Sequence, residues 1–500
     1  MAKPIQSVAL LALIALMTSS CAWWTRANVS TAGEIMPEPE EFFADLSDDG
    51  TFVAFHTLGA LRPDDGPATD IYRRNIRTGE IELVSRGDDG AATVGDRASY
   101  DPSISADGRI VAFESYSDNL VPGDTNDAVD VFVRDVESGL TTRVSVGADG
   151  TEVSADSNGA DVSADGRYVV FTSWAADVVA NDTNDDTDVF RHDRVTGETI
   201  QVSVPAAGHP GGGYQPIVNA DGSLVAYEAP STAVAGAQFA SNIIVITDLS
   251  TGITVPAIVD EGGNPVSGGT LHDLSGDGRF VVFGALFVFD TELSVLEQIH
   301  VTPEGQSASG WVDSAGISDD GRFVVFHSVS NDLVEDDDNS APDTFVRDRL
   351  AGTTTRQVPS EGWVSGGNEG TFPAISADGR TVAFEGLADV AQSQWGPYDL
   401  FIMANPTPRI GHIEPSVVGP GLTEIRVFGT GFLDDTALIS SAPGVTVAVI
   451  GIEGGTEIVA TITVGPEAPS GPITIATWNA STGSGSGAGD LCAACIDVTG

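Results

Sequence analysis

Ser105-Ala106-Asp107-Gly108-Arg109-Ile110-Val111-Ala112-Phe113 decides the fold, because the chain repeats it. The phrase returns, with variations, at residues 47–55, 163–171, 219–227, 275–283, 318–326 and 376–384. The seven copies start 58, 58, 56, 56, 43 and 58 residues apart. A steady period of this size marks a propeller or a solenoid. Working outward from the second copy, residues 102–105 form a first short strand, and Ala106-Asp107-Gly108 a tight turn with Gly where φ is positive. Residues 109–115 make a β-rich second strand. Asp130-Val131-Phe132-Val133-Arg134-Asp135 alternates polar and apolar residues, which predicts a third strand. After the turn at Glu137-Ser138-Gly139, residues 141–146 complete a fourth. No stretch shows helical periodicity. Four antiparallel strands repeated seven times give an all-β chain with a seven-bladed β-propeller over residues 22–405.

The two ends of that region fit each other. The seventh unit has three strands, at 372–376, 381–384 and 399–403, before Pro406 and Pro408 interrupt it. Thr25-Arg26-Ala27-Asn28-Val29-Ser30 resembles the fourth strand of the second unit, Thr142-Arg143-Val144-Ser145. The N-terminal segment is therefore expected to complete the last blade and close a ring, removing two open edges.

The combination of Ser-x-Asp-Gly-Arg-x-Val-x-Phe with Asp-Val-Phe-Val-Arg-Asp resembles the WD40-like propeller repeats of the TolB family, over about residues 25–405. The resemblance implies a propeller but little about activity, since that fold hosts many functions. The fifth unit departs from it, being the shortest. Beyond Asn405-Pro406-Thr407-Pro408, the run with Ile413-Glu414-Pro415, Gly419-Pro420-Gly421 and Gly429-Thr430-Gly431-Phe432 resembles an IPT/TIG domain. That resemblance implies an immunoglobulin-like β-sandwich over residues 409–499. The Gly/Ser-rich stretch 481–489 reads as a flexible loop inside it.

Residues 1–21 read as a secretory signal. Lys3 precedes an apolar run over residues 8–17 that is too short for an ordinary transmembrane helix. Ser19-Ser20-Cys21 is similar to a bacterial lipobox, with Thr18 where an apolar residue is usual. Cys21 is thus a candidate for lipidation, with simple cleavage nearby as the other reading. Export places the chain in the cell envelope, at the surface or in the periplasm. Contact with the membrane is then expected only through a lipid on Cys21. Cys492 and Cys495, the two remaining cysteines, are expected to form a small disulfide loop in an oxidising compartment.

The chain carries 72 acidic against 22 Lys and Arg residues, a formal charge of −50. Such a surface repels nucleic acid and anionic lipid, and attracts cations. Lys3 is the only lysine and lies in the signal, which leaves the mature chain without one for Schiff-base or P-loop chemistry. Acidic loops join the second and third strands of three units. They hold Asp124, Asn126, Asp127 and Asp130 in the second unit; Asp182, Asn184, Asp186 and Asp188 in the third; and Asp336, Asp338 and Asp343 in the sixth. Clustered hard oxygens suit Ca2+, although the Gly and distal Glu of an EF-hand are missing. The plainer reading is solvated turn residues.

Right after the repeat's aromatic residue, the position varies: His56, Glu114, Glu228, His327 and Glu385 are its ionisable occupants. If they face the ring's channel or one rim, they form a polar ligand surface; otherwise they are exposed strand ends. Arg109, Arg167, Arg279, Arg322 and Arg380 recur with the units and are expected to make structural pairs. No nucleophile elbow, His-Glu-x-x-His or dinucleotide-binding glycine pattern occurs. These readings favour a non-enzymatic scaffold that binds a protein or glycan at the envelope. The alternative is a carbohydrate-active or other hydrolase using carboxylates in the ring centre.

Overall fold

The computed structural model describes residues 24–31, 43–63, 68–87, 94–180, 182, 186–203, 211–230, 242–260, 265–266, 269–334, 337, 341–357, 372–386 and 399–404. In the C-terminal part it describes residues 409–430, 436–440, 445–453, 457–466, 468, 470–479 and 491–498. The signal segment with Cys21 lies outside these residues. Among them every regular element is a strand, and the strands form nine four-stranded sheets.

Seven sheets follow the repeat. In the second unit the strands are Ser99–Ile104, Ile110–Ser115, Asp130–Asp135 and Leu140–Arg143, paired in chain order. The third strand matches its prediction. The first begins earlier than its sequence suggested, because a bulge between Tyr100 and Ser103 lets pairing continue past Pro102. The fourth ends at Arg143, where Val144 turns to give its N–H to Val131 O. In the fifth unit the acidic loop gives way to a short connection from Phe283 to Phe287, which accounts for the 43-residue gap.

Each unit is tied internally by an aromatic pair between its second and third strands, as in Phe113–Phe132 and Phe171–Phe190. Six units carry such a pair, with ring centroids 5.6 to 6.1 Å apart. Such pairs each contribute about 0.5–1.5 kcal/mol beyond burial. The Ser-x-Asp-Gly turn is built alike throughout: in the second unit Ser105 Oγ donates to Asp107 Oδ1 and accepts from Ile110 N–H. Gly108 is required twice over. Its φ is 71°, and a Cβ there would meet the Phe52 ring of the preceding unit at 2.3 Å.

Neighbouring units share hydrophobic cores. Ala54 and Ile71 of the first pack with Val111, Phe113 and Phe132 of the second. The same sharing continues around to Leu400 and Ile402 of the seventh unit, which pack with Val53 and Phe55 of the first. First strands touch in order, and that of the seventh unit touches that of the first. The fourth strand of the seventh unit is Trp24–Arg26, with Trp24, Thr25 and Arg26 opposite Met403, Ile402 and Phe401. The expected N-terminal completion of that sheet is therefore observed. This arrangement is a β-propeller.

The remaining two sheets face each other across one core. One contains Arg409–Glu414, Gly421–Thr430, Glu457–Val464 and Val445–Glu453; the other contains Val417–Val418, Leu491–Val498, Gly471–Asn479 and Thr436–Ser440. Ile425, Ile458 and Ile462 from the first meet Leu438, Ile496 and Val498 from the second. Cys492 and Cys495 share the strand Leu491–Val498, whose register slips by two residues opposite Ile473 and Ile475. Their side chains and the 481–489 loop lie outside the described residues.

Candidate functional site

The propeller's centre is lined by the first strands of all seven units, around a cavity of about 130 Å³. Three of its carboxylates come from alternate units, namely Asp45, Asp161 and Asp273 of the first, third and fifth, and no lining residue among the described residues is basic. Each carboxylate bridges two backbone amides. Asp45 accepts from Leu46 N–H at 2.8 Å and from Ile104 N–H of the next unit at 2.8 Å. Asp161 accepts from Val162 N–H at 3.0 Å, from Val218 N–H of the fourth unit at 2.8 Å, and from Ser103 Oγ of the second at 2.8 Å. Asp273 accepts from Leu274 and from Ile317 of the sixth unit, both at 2.7 Å. These bonds staple one unit to the next.

The electrostatic cost of this arrangement is visible. Removal from bulk water raises Asp45 to about 7 and Asp273 to about 8, with the amide bonds opposing and the Asp161 charge adding. Asp161 is raised for the same first reason. All three keep some surface open to the cavity. Asp48 at one mouth is pushed to about 6 by burial and by Asp319 across from it. There a belt of amide bonds runs from Asp48 N–H to Ala106 O, from Ala106 N–H to Ala164 O, and onward to Gly276. Sequence reasoning missed the three staples. Their signal is an Asp two residues before the repeat's Ser in alternate units, where Ser103, Ile217, Gly316 and Ala374 stand in the others.

His56, Glu114, Glu228, His327 and Glu385 are buried, none of them more than 8% exposed. The reading as exposed strand ends is therefore replaced by one of buried positions on the second strands. Glu228 Oε1 accepts from Leu271 N–H of the next unit at 2.9 Å, and Glu114 accepts from Gly159 N–H in the same way. Burial and the nearby Asp101 charge push Glu114 to about 8. His56 packs edge-on to Tyr100 at 5.4 Å and beside Phe43 at 5.3 Å. His327 lies 3.7 Å from Asp313. These residues face neighbouring strands one by one and do not converge as a set.

Asp124 and Asp130 of the second unit's loop do converge, together with Glu152, which the sequence reading did not include. The charge between them is supplied by Arg143, whose Nη1 lies 3.2 Å from Asp124, 3.0 Å from Asp130 and 2.9 Å from Glu152. Asn126 Nδ2 donates to Asp130 at 3.3 Å. Asp127 points out, at φ 56°, and pairs with Arg97 at 2.5 Å. In the sixth unit Arg356 plays Arg143's part, at 2.9 Å from Asp337 and 3.4 Å from Asp343; Asp336 and Asp338 lie outside the described residues. In the seventh, Arg26 reaches Asp399 at 3.4 Å. The third unit differs. Gln201 stands opposite Phe190 where Arg143 stands opposite Phe132 and Arg356 opposite Phe345. There Asp188 is buried and accepts from Ser203 Oγ at 2.5 Å. Asp182 and Asp186 are described, and Asn184 is not.

Four of the repeat arginines pair with the end of their own third strand: Arg109 with Asp135, Arg167 with Asp193, Arg279 with Asp290 and Arg322 with Asp348, at 2.5 to 2.7 Å. Arg380 reaches Asp378 at 3.4 Å. The guanidinium bonds hold Asp135 and Asp193 well below the usual carboxylate range.

No protein-family model matches the sequence, and no curated protein matches it. Among solved structures the chain is similar to several propellers. A TolB-like protein from Agrobacterium tumefaciens is 14% identical, covering 73% of this chain and 91% of its own, with a TM-score of 0.33. The Dos1 propeller is 10% identical, with coverages of 76% and 95% and a TM-score of 0.40. A GH74 xyloglucanase from Xanthomonas campestris is 11% identical, with coverages of 82% and 59% and a TM-score of 0.42.

Proposed function

We propose that the protein is an exported envelope component that binds a protein or glycan partner through one face of a seven-bladed propeller. Residues 1–21 are its signal, and Cys21 its lipid attachment point. Residues 22–405 form the ring, and residues 409–499 an immunoglobulin-like spacer of the IPT/TIG kind. The observation that carries the binding reading is the state of the ring centre. Asp45, Asp161 and Asp273 are each committed to two backbone amides and fasten neighbouring units. Carboxylates spent in this way serve the scaffold, which leaves the loop faces for recognition. Ca2+ is the cation proposed for the acidic loops, with the third unit as its place, because neutral Gln201 stands where the second, sixth and seventh units bring an arginine.

The test incubates the exported full chain with envelope fractions and with a polysaccharide panel. The reading predicts retention of an envelope component and no release of reducing sugar. Release that disappears in Asp161→Asn, with folding intact, would establish the hydrolase alternative instead.

A further inference from the structure

The face opposite the Ser-x-Asp-Gly turns carries a run of exposed aromatic rings. Tyr116 and Trp174 each follow the second strand of their unit by one residue and are 48% and 50% exposed. Each gives its N–H across to the start of the first strand, to Ala98 O and Asp156 O. Trp311 stands at that same end of the sixth unit, where its carbonyl accepts from Val329 N–H; it is 42% exposed. Phe372 stands there in the seventh, stacked on Phe43 of the first unit with centroids 3.8 Å apart. Leu58 holds the first unit's equivalent of Tyr116 and is likewise exposed. In ring order these are the sixth, seventh, first, second and third units, five consecutive neighbours. At the repeat position of Tyr116 the fourth and fifth units carry Pro230 and the buried Leu286.

The surroundings of the arc are acceptor-rich. The acidic loops open on this face, with Asp118 and Asp127 well exposed. Arg97 is already paired with both of them, and Arg143 and Arg356 with their own loop carboxylates. The whole chain adds a charge of −50. A ligand here must offer flat apolar patches to isolated rings, must donate hydrogen bonds to carboxylates, and must carry no negative charge. A protein interface core instead gathers its apolar groups into one water-free centre, whereas these rings are spaced unit by unit among polar loops.

We infer that the arc from Trp311 through Phe372 and Tyr116 to Trp174 is a subsite row for an uncharged oligosaccharide. The C–H faces of its pyranose rings stack on the aromatic side chains, and its hydroxyls donate to the loop carboxylates. This rests on the binding reading above and names the ligand class for it.

The experiment titrates the exported full chain with neutral hexasaccharides built from glucose, xylose or N-acetylglucosamine, and with an oligogalacturonate as the anionic counterpart. Tryptophan fluorescence and calorimetry read binding. At least one neutral sugar is expected to saturate the signal. Trp174→Ala and Trp311→Ala should each weaken it about tenfold, and Tyr116→Ala by less, with unchanged melting curves. The inference falls if no neutral sugar binds, if the variants bind as well as wild type, or if the galacturonate binds better. A photo-crosslinker at position 174 keeps the two levels apart. Capture of an envelope protein without sugar binding sinks the oligosaccharide and leaves the broader binding reading standing.

Discussion

The inner and outer strands of the propeller use the same residue, aspartate, in opposite ways. At the centre Asp45, Asp161 and Asp273 bridge amides with no basic side chain among the described lining residues, and their affinity for protons rises. Toward the outside, Asp135 and Asp193 meet guanidinium groups, and their affinity falls. Arginine also serves the outer loops, as Arg143 does among three carboxylates. The contrast teaches that the abundant acid in this chain is not only a solubilising coat. Part of it holds neighbouring units together, and part of it locks strands within a unit.

The largest effect is expected where the outer edge closes the ring. Deleting residues 24–30 removes the strand opposite Phe401 and Met403, the Arg26 and Asn28 bonds to Asp399, and the buried Ala27. Melting should fall by roughly 10 °C or more, read by calorimetry, because the last sheet is left with an open edge. An unchanged melting point would break the closure. Next comes the centre. Asp161→Ala strips the acceptor from Val218, Val162 and Ser103 and should cost about 2–4 kcal/mol in urea unfolding. A cost near zero would mean that channel water replaces the carboxylate. The smallest effect sharpens the outer comparison. Gln201→Arg should copy Arg143 into the third unit and stabilise it by about 1 kcal/mol or less. It should also abolish any rise in melting that millimolar Ca2+ gives the wild type. An unaltered calcium response would place the cation elsewhere.

Much of this was legible in the sequence. The phrase around Ser105 announces seven units, and the likeness of Thr25-Arg26 to Thr142-Arg143 announces how the last sheet is completed. Arg109 and its equivalents were readable as structural pairs because they recur with the turn. The centre was not legible, for a physical reason. Bulges in the first strands of the second to sixth units, as between Asn158 and Asp161, shift which side chains face the channel, so alternation alone misplaces them. Tyr100 of the bulged second-unit strand stands opposite Glu114, whereas His56 is packed between Phe43 and Tyr100. Glu152 escaped notice because it meets Asp124 and Asp130 only through the fold, 22 residues beyond the nearer of them.

The opposed carboxylates also separate in pH. A folded Asp that holds its proton more tightly than the unfolded one stabilises the ring most below the unfolded value, near pH 4. That contribution is lost as pH rises through about 7 to 8 for Asp45 and Asp273. The guanidinium-paired Asp135 and Asp193 do the reverse, contributing above pH 4 and failing as pH falls below it.

Calorimetric melting of the full chain between pH 5 and pH 8, in wild type and in Asp45→Asn/Asp273→Asn, tests the structural role of the centre most directly. Wild type should lose roughly 5 °C or more across that window, and the double variant should show a flatter profile. A wild type whose melting point rises with pH, or a double variant with the same slope, would contradict a ring held by proton-retaining central aspartates.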